Sequence, residues 1–361
     1  MRALSIAIGC FVIGCFAAGC GKSKSAPPVT QRGAEAGAGD AAAVATITPA
    51  AAKLSGVLWF VADGKLAKLA GGTLTTTFDD VGAAVFPSRW ALPDGRLVGI
   101  ASRGDGAAGS EQLVLIGPGS TVTRIGETAT AVRDPAVDPA GAWIVYEAKL
   151  ASASELYRLD LATTKTKQLT KTPQGDFKPA VLGADAIVFV SSRDGDAEVY
   201  RASIAGDKLQ RLTAFHRDDW DPTPAPDARV IAFVSDREGR PRIFLMDPDG
   251  THQRRLTSRT DADLDEVVPV WSPDGKSLAY LVEAPGASHV WLRDVANGSE
   301  RLLTPAGARD ADATFSPDGA AVVVSRTIDR VTELWAIAVA TGEATQLTSG
   351  AHDPRLPRWL P

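Results

Sequence analysis

From Leu54 onward the chain repeats one unit, and a Leu-Thr pair marks its end at Leu169-Thr170, Leu212-Thr213, Leu256-Thr257, Leu303-Thr304 and Leu347-Thr348, 43 to 47 residues apart. Periods near this length belong to propellers and related arrays, whose units stack because none can bury its own faces. Each unit reads as four short strands. The first ends at a Trp or its substitute and meets a Pro-Asp-Gly turn, as in "WSPDGKSLAY" from Trp271 to Tyr280. The second is apolar ("IVFVS" from Ile187, "IAFVS" from Ile231), the third alternates ("ELYRLD" from Glu155, "ELWAI" from Glu333), and the fourth is the polar approach to the mark. β-Branched and aromatic strand residues between Gly- and Pro-containing turns, with no helical period, predict an all-β fold. A helical solenoid is excluded by 23 Pro and 34 Gly, which punctuate the repeat too often for any helix pair.

Complete units run from Phe86 to Gly126, Asp134 to Thr170, Asp176 to Thr213, Asp219 to Thr257, Asp265 to Thr304 and Asp310 to Thr348. A further unit is split between the ends: "VLWFVADGKLAKLAGGTLTTT" from Val57 lacks a first strand, and "PRW" at Pro357 to Trp359 supplies one. The expectation is a seven-bladed β-propeller of four-stranded antiparallel blades over residues 54–361, closed by the C-terminal strand, because radial stacking leaves only short sheet edges.

Arg2 and an apolar run from Ala3 to Ala18 end in "AAGC" at Cys20. That run is too short to span a bilayer and has the anatomy of a signal peptide, predicted over residues 1–19. Its end resembles a bacterial lipobox, with Ala17 where Leu is usual; "VIGC" at Cys15 competes but would leave a very short apolar core. The resemblance implies acylation of Cys20, and Gly21 after it implies the periplasmic face of the outer membrane. With Cys10 and Cys15 removed, the mature chain keeps one cysteine and forms no disulfide. Residues 20–53 form the acylated Cys and a linker rich in Ala, Gly, Ser and Pro that cannot bury a core. The net charge of -5 comes from interspersed charges, which argues against nucleic acid as a partner.

The unit D-x-x-P-x-W-S-P-D-G-x-x-[IL]-A-[FY]-x-S-x-R-[DE]-G…LT, matched by Asp176 to Thr213 with "SSRDGDAEVY" and by Asp219 to Thr257 with "SDREGRPRIF", resembles the TolB-type propeller repeat, which is related to the non-catalytic propellers of prolyl oligopeptidases. The resemblance covers residues 54–361 and implies the fold; propellers of this kind serve many roles. Residues 21–53 are too few and too polar for the α/β domain that accompanies the propeller in TolB, and lipidation is not a TolB feature.

Acids recur before or within the first strand of the units: Asp134, Asp176, Asp219, Asp221, Asp265, Glu266, Asp310, Asp312 and Asp353. In a ring they would gather at one mouth of the channel and focus a negative potential. The competing reading has each carboxylate accepting backbone hydrogen bonds and fixing the turn into its blade. His216 and Trp220 individualise "AFHRDDWDP", and His352 stands at a similar place in the tail. An exposed Trp beside charges suits a binding hot spot; one packed on a neighbouring blade is structural. The histidines show no metal-site spacing, and neither a metal nor a cofactor is expected. With no G-x-S-x-G elbow and no free Cys nucleophile, no catalytic residue is assigned. The functional expectation is a monomeric, non-enzymatic envelope lipoprotein that binds a protein or peptide at the channel mouth. The alternative is a lyase or hydrolase acting on carbohydrate or peptide.

Overall fold

The computed structural model describes residues 46–47, 56–75, 84–102, 110–117, 119, 121–150, 153–261, 263–350 and 353–360; the signal segment, Cys20 and His352 lie outside these. Every helix or strand among the described residues is a β-strand. The repeating object is a four-stranded antiparallel sheet whose strands are neighbours in sequence and in space. In the Asp219 sheet these are Asp219–Pro224, Ile231–Ser235, Arg242–Met246 and Arg254–Arg255. Its second and third strands are buried along their whole length, while the fourth is solvated. That gradient explains why the second strand is an unbroken apolar run: neighbouring sheets cover both of its faces.

The Ser-Pro-Asp-Gly hairpin follows from local chemistry. Ser272 Oγ donates to Asp274 Oδ1 at 2.6 Å, that oxygen accepts Lys276 N at 3.1 Å, and Gly275 takes the left-handed φ of 69° that the turn requires. Ser316, Asp318 and Gly319 repeat the arrangement.

Matching sheets start at Ala84, Val132, Asp176, Asp265 and Arg309, the last two linked by a single parallel bridge between Ser288 and Arg309. One more is built from both ends of the chain: Arg355–Leu360 pairs with Val57–Ala62, which continues into Lys65–Ala70 and Thr73–Thr75. The apolar core lies between sheets. Phe189 and Tyr200 of the Asp176 sheet pack on Trp143 and Val145 of the Val132 sheet; Phe233 and Phe244 of the Asp219 sheet pack on Val188 and Leu212 of the Asp176 sheet. The end-built sheet packs on both sides, through Leu58, Phe60 and Trp359 against Val323 and Leu334 of the Arg309 sheet, and through Trp59 and Leu360 against Leu97 and Val114 of the Ala84 sheet.

First strands share a β-bulge that the sequence did not reveal. Register shifts occur between Phe177 and Ala180, Trp220 and Thr223, Val267 and Val270, and Ala311 and Thr314. The bulged residues Lys178, Asp221, Val268 and Asp312 have φ of 50° to 55°, and Asp134 (45°) and Leu356 (53°) are their counterparts. Asp tolerates this conformation; a β-branched Val adopts it only when the surrounding structure imposes it.

Candidate functional site

The acids predicted to ring one mouth separate into two structural groups. Asp176 and Asp219 are the first residues of their first strands, Glu266 and Asp310 the second, and all four are buried. Asp176 receives Arg193 Nη2 on both oxygens at 2.9 Å, and Asp219 receives Arg237 Nη2 at 3.1 and 2.9 Å. Both arginines come from the Ser-x-Arg segment after the second strand, where Ser191 and Ser235 accept their Nε at 2.8 and 2.7 Å. The pairing is local because Asp176 faces Ser191, and Asp219 faces Ser235, in the sheet register. Burial raises the pKa of Asp219 against the downward pull of Ser235 and Arg237. Burial also raises that of Asp310, against Thr304, Arg326 and His289; Arg326 Nε lies 3.7 Å and His289 Nδ1 3.6 Å from its oxygens.

The Leu-Thr mark belongs to this network. Leu212 is buried between sheets, and Thr213 Oγ1 accepts Val199 N at 2.9 Å while donating to Glu198, the first residue of the third strand. Thr170 and Thr348 make the same clamp with Glu155 and Glu333. In the Asp219 sheet the corresponding position is Arg242, and Thr257 donates instead to Glu266, at 2.6 and 2.7 Å. The sequence reading had not singled out these glutamates; the signal that could have found them is the recurrence of the Leu-Thr mark 15 residues after each, at Thr170, Thr213 and Thr348.

The second group sits at or beside the bulges. Asp221 pairs with Lys178 of the preceding sheet. Asp312 accepts Ser325 Oγ at 3.3 Å and Leu356 N at 3.2 Å. Asp134 is exposed, and its neighbour Glu147 is pushed up to about 7 by burial and by the Asp134 charge, against hydrogen bonds from Ser154 and the Lys178 backbone. Asp265 lies 2.8 Å from Arg240 Nε, and exposed Asp353 binds Arg355 at 2.8 Å. Most of the acids that were to focus a negative potential therefore carry a positive partner of their own.

The connection from Ala214 to Asp218 is different in kind. Phe215 is 47% exposed, with the Arg237 guanidinium 5.0 Å over its ring, and His216 and Arg217 beside it are exposed. Trp220 is half-buried, on the first strand. Phe215 itself had not stood out in the sequence. Among the described residues no three His, Cys, Asp or Glu side chains converge as a metal site would need.

Residues 118–361 match the PD40 family, the TolB beta propeller domain. The chain belongs to this family. Among relatives of this TolB propeller chain, a Protein TolB homolog of Protochlamydia amoebophila is 26% identical over 214 residues, covering 55% of this chain and 46% of the homologue. The chain spans less than half the length of the curated TolB homologues it matches. In solved structures, TolB from Acinetobacter baumannii superposes with a TM-score of 0.56 at 20% identity over 84% of this chain and 66% of that one. An oligogalacturonate lyase in complex with manganese superposes with a TM-score of 0.59 at 16% identity, over 80% and 84%. At these identities the likeness is one of fold.

Proposed function

We propose that the sheets are the blades of a seven-bladed ring closed by the C-terminal strand, and that the ring is a non-enzymatic scaffold binding a protein or peptide in the cell envelope. The ring reading is supported by the end-built sheet, which packs on the Ala84 sheet on one side and the Arg309 sheet on the other. In the same proposal, acylated Cys20 tethers the monomer to the membrane through residues 21–53.

The observation that carries the binding role is the exposed Phe215 and its charged neighbours, held on a frame whose own acids are internally paired. A large aromatic beside Arg and His, on a connection fixed by Phe215 N donating to Glu198 Oε1 at 2.8 Å, is the composition of an interface hot spot. The test is co-purification from envelope extracts with Phe215→Ala combined with Arg217→Glu. A partner set that is retained by the parent protein and lost by this folded variant supports the reading; an identical set overturns this surface as the binding site. The tether is tested by Cys20→Ser, which is expected to move the protein to the soluble envelope fraction; continued membrane retention contradicts it.

The lyase named among the fold neighbours keeps an enzyme reading in view. Turnover of a uronate polymer or peptide by the purified full chain would replace the binding proposal.

A further inference from the structure

At the end of the Asp219 sheet that carries the turn between its second and third strands, a cavity of about 370 Å³ is lined by Arg240, Arg242, Arg255 and Arg259, with Glu238 and Thr260 at its edge. Four guanidiniums around one space are costly unless oxygens answer them. The available answers are incomplete. Arg255 Nη1 donates to Glu238 at 2.7 Å, its Nη2 donates to the Arg259 carbonyl and lies 4.0 Å from Glu266, Arg259 pairs with Glu300, and Arg259 Nε is 3.6 Å from Glu266. Arg240 Nε is 2.8 Å from Asp265 but off the line a hydrogen bond requires. The Nε–H groups of Arg240, Arg255 and Arg259 are all buried without a hydrogen-bond acceptor among the described residues.

Arg242 is the telling residue. It is 4% exposed, and among the described residues it forms no ion pair and its guanidinium reaches only the backbone carbonyls of Pro241, Leu264 and Asp261. The equivalent third-strand position is Glu155, Glu198 and Glu333 in three other sheets, so the sign of a buried charge is reversed here alone among those strands. The nearby acid Glu266 accepts from Thr257 and lies 3.6 Å from Arg259 and 4.0 Å from Arg255, so its charge is directed at those two arginines and not at Arg242. The Arg259 guanidinium carbon lies 3.9 Å from the centre of the Trp291 ring, a cation–π contact that, with the Glu300 ion pair, holds Arg259 in place at the cavity wall.

We propose that this cavity is an oxyanion-binding site that takes a carboxylate or phosphate group, with Arg240, Arg242 and Arg255 as its donors and Arg259 as its backing. Guanidinium forks match the oxygens of either group, and a partly enclosed site strengthens each charge-assisted bond. The ligand enters from the open side bounded by Glu238, which disfavours a second negative charge there and favours a group carried on a neutral or extended body. In the framework of the scaffold reading this is where an acidic side chain or a terminal carboxylate of the partner would seat.

The test is calorimetric titration of the purified full chain with inorganic phosphate, and separately with a peptide bearing a free C-terminal carboxylate and its C-terminal amide. Saturable binding is expected, weakened at least tenfold by Arg242→Gln and by the more exposed Arg240→Gln, and unchanged by Arg201→Gln, which lies at the opposite end of the Asp176 sheet. Loss of affinity in Arg240→Gln with an unaltered melting temperature separates binding from folding. Preference for the free carboxylate over the amide identifies a peptide as the source; phosphate binding with no peptide preference identifies a phosphorylated ligand. Absence of saturable binding by both probes, or equal binding by the variants, overturns the site. That outcome leaves the Phe215 surface untouched, because co-purification there does not depend on these arginines.

Discussion

At the residue scale, the chain places charges where only partners make them tolerable. Asp219 is buried, so removing Arg237 leaves an uncompensated carboxylate. Arg237→Ala is expected to cost about 3–5 kcal/mol in urea denaturation, whereas Asp219→Leu with Arg237→Met recovers much of that loss. Glu147 gives a pH-dependent case. Its pKa is raised from 4.5 to about 7 in the fold, so between those values the folded state holds a proton that the unfolded chain releases. Stability from this group is therefore complete at low pH and is lost as pH rises through that window. Glu147→Gln should raise the stability by about 2 kcal/mol at pH 8, at roughly 1.4 kcal/mol for each tenfold change in proton affinity with allowance for relaxation, and change it little at pH 4.5. A stabilisation equal at both pH values contradicts the assignment. The acids themselves were legible in the sequence as a recurring position. Their arginine partners were visible only as a motif, because nothing in Ser-x-Arg states which strand the guanidinium will cross to.

At the scale of the element, the turn between third and fourth strands is where one sheet touches the next. A Cβ on Gly250, at φ 86°, would stand 2.7 Å from the Leu212 carbonyl of the preceding sheet, and Gly206 meets Leu169 in the same way at 2.5 Å. Gly239, at φ 93°, has nothing within 4 Å. Gly239→Ala is expected to cost about 1 kcal/mol of backbone strain, and Gly250→Ala several times that, since backbone must move. Equal melting shifts for the two would contradict the inter-sheet contact. Strand identity and the Ser-Pro-Asp-Gly turn were readable because each uses its own residues. The bulge was not, since Val268 and Leu356 carry no local preference for the left-handed backbone they adopt. That conformation is imposed by the packing of neighbouring sheets.

At the scale of the whole molecule, the 43- to 47-residue spacing made the all-β repeat legible, and with it the expectation that both ends contribute to one sheet. Val57↔Leu360, Leu58↔Trp359 and Trp59↔Arg358 are that pairing. Deleting residues 353–361 removes this strand and takes Trp359 out of the cluster that holds Leu58 and Phe60, and a cooperative fall in melting temperature of the entire propeller is expected; an unchanged melting temperature argues against closure. The partner was not legible, because surface recognition lies in connections that the repeat leaves free to vary. Site-specific photo-cross-linking in living cells addresses it most directly, with the cross-linker at position 215 and a control at position 208, at the opposite end of the strands. The scaffold account predicts a small, reproducible set of envelope proteins captured from position 215 and absent from position 208. Capture of nothing from position 215, or of the same proteins from both positions, would contradict it.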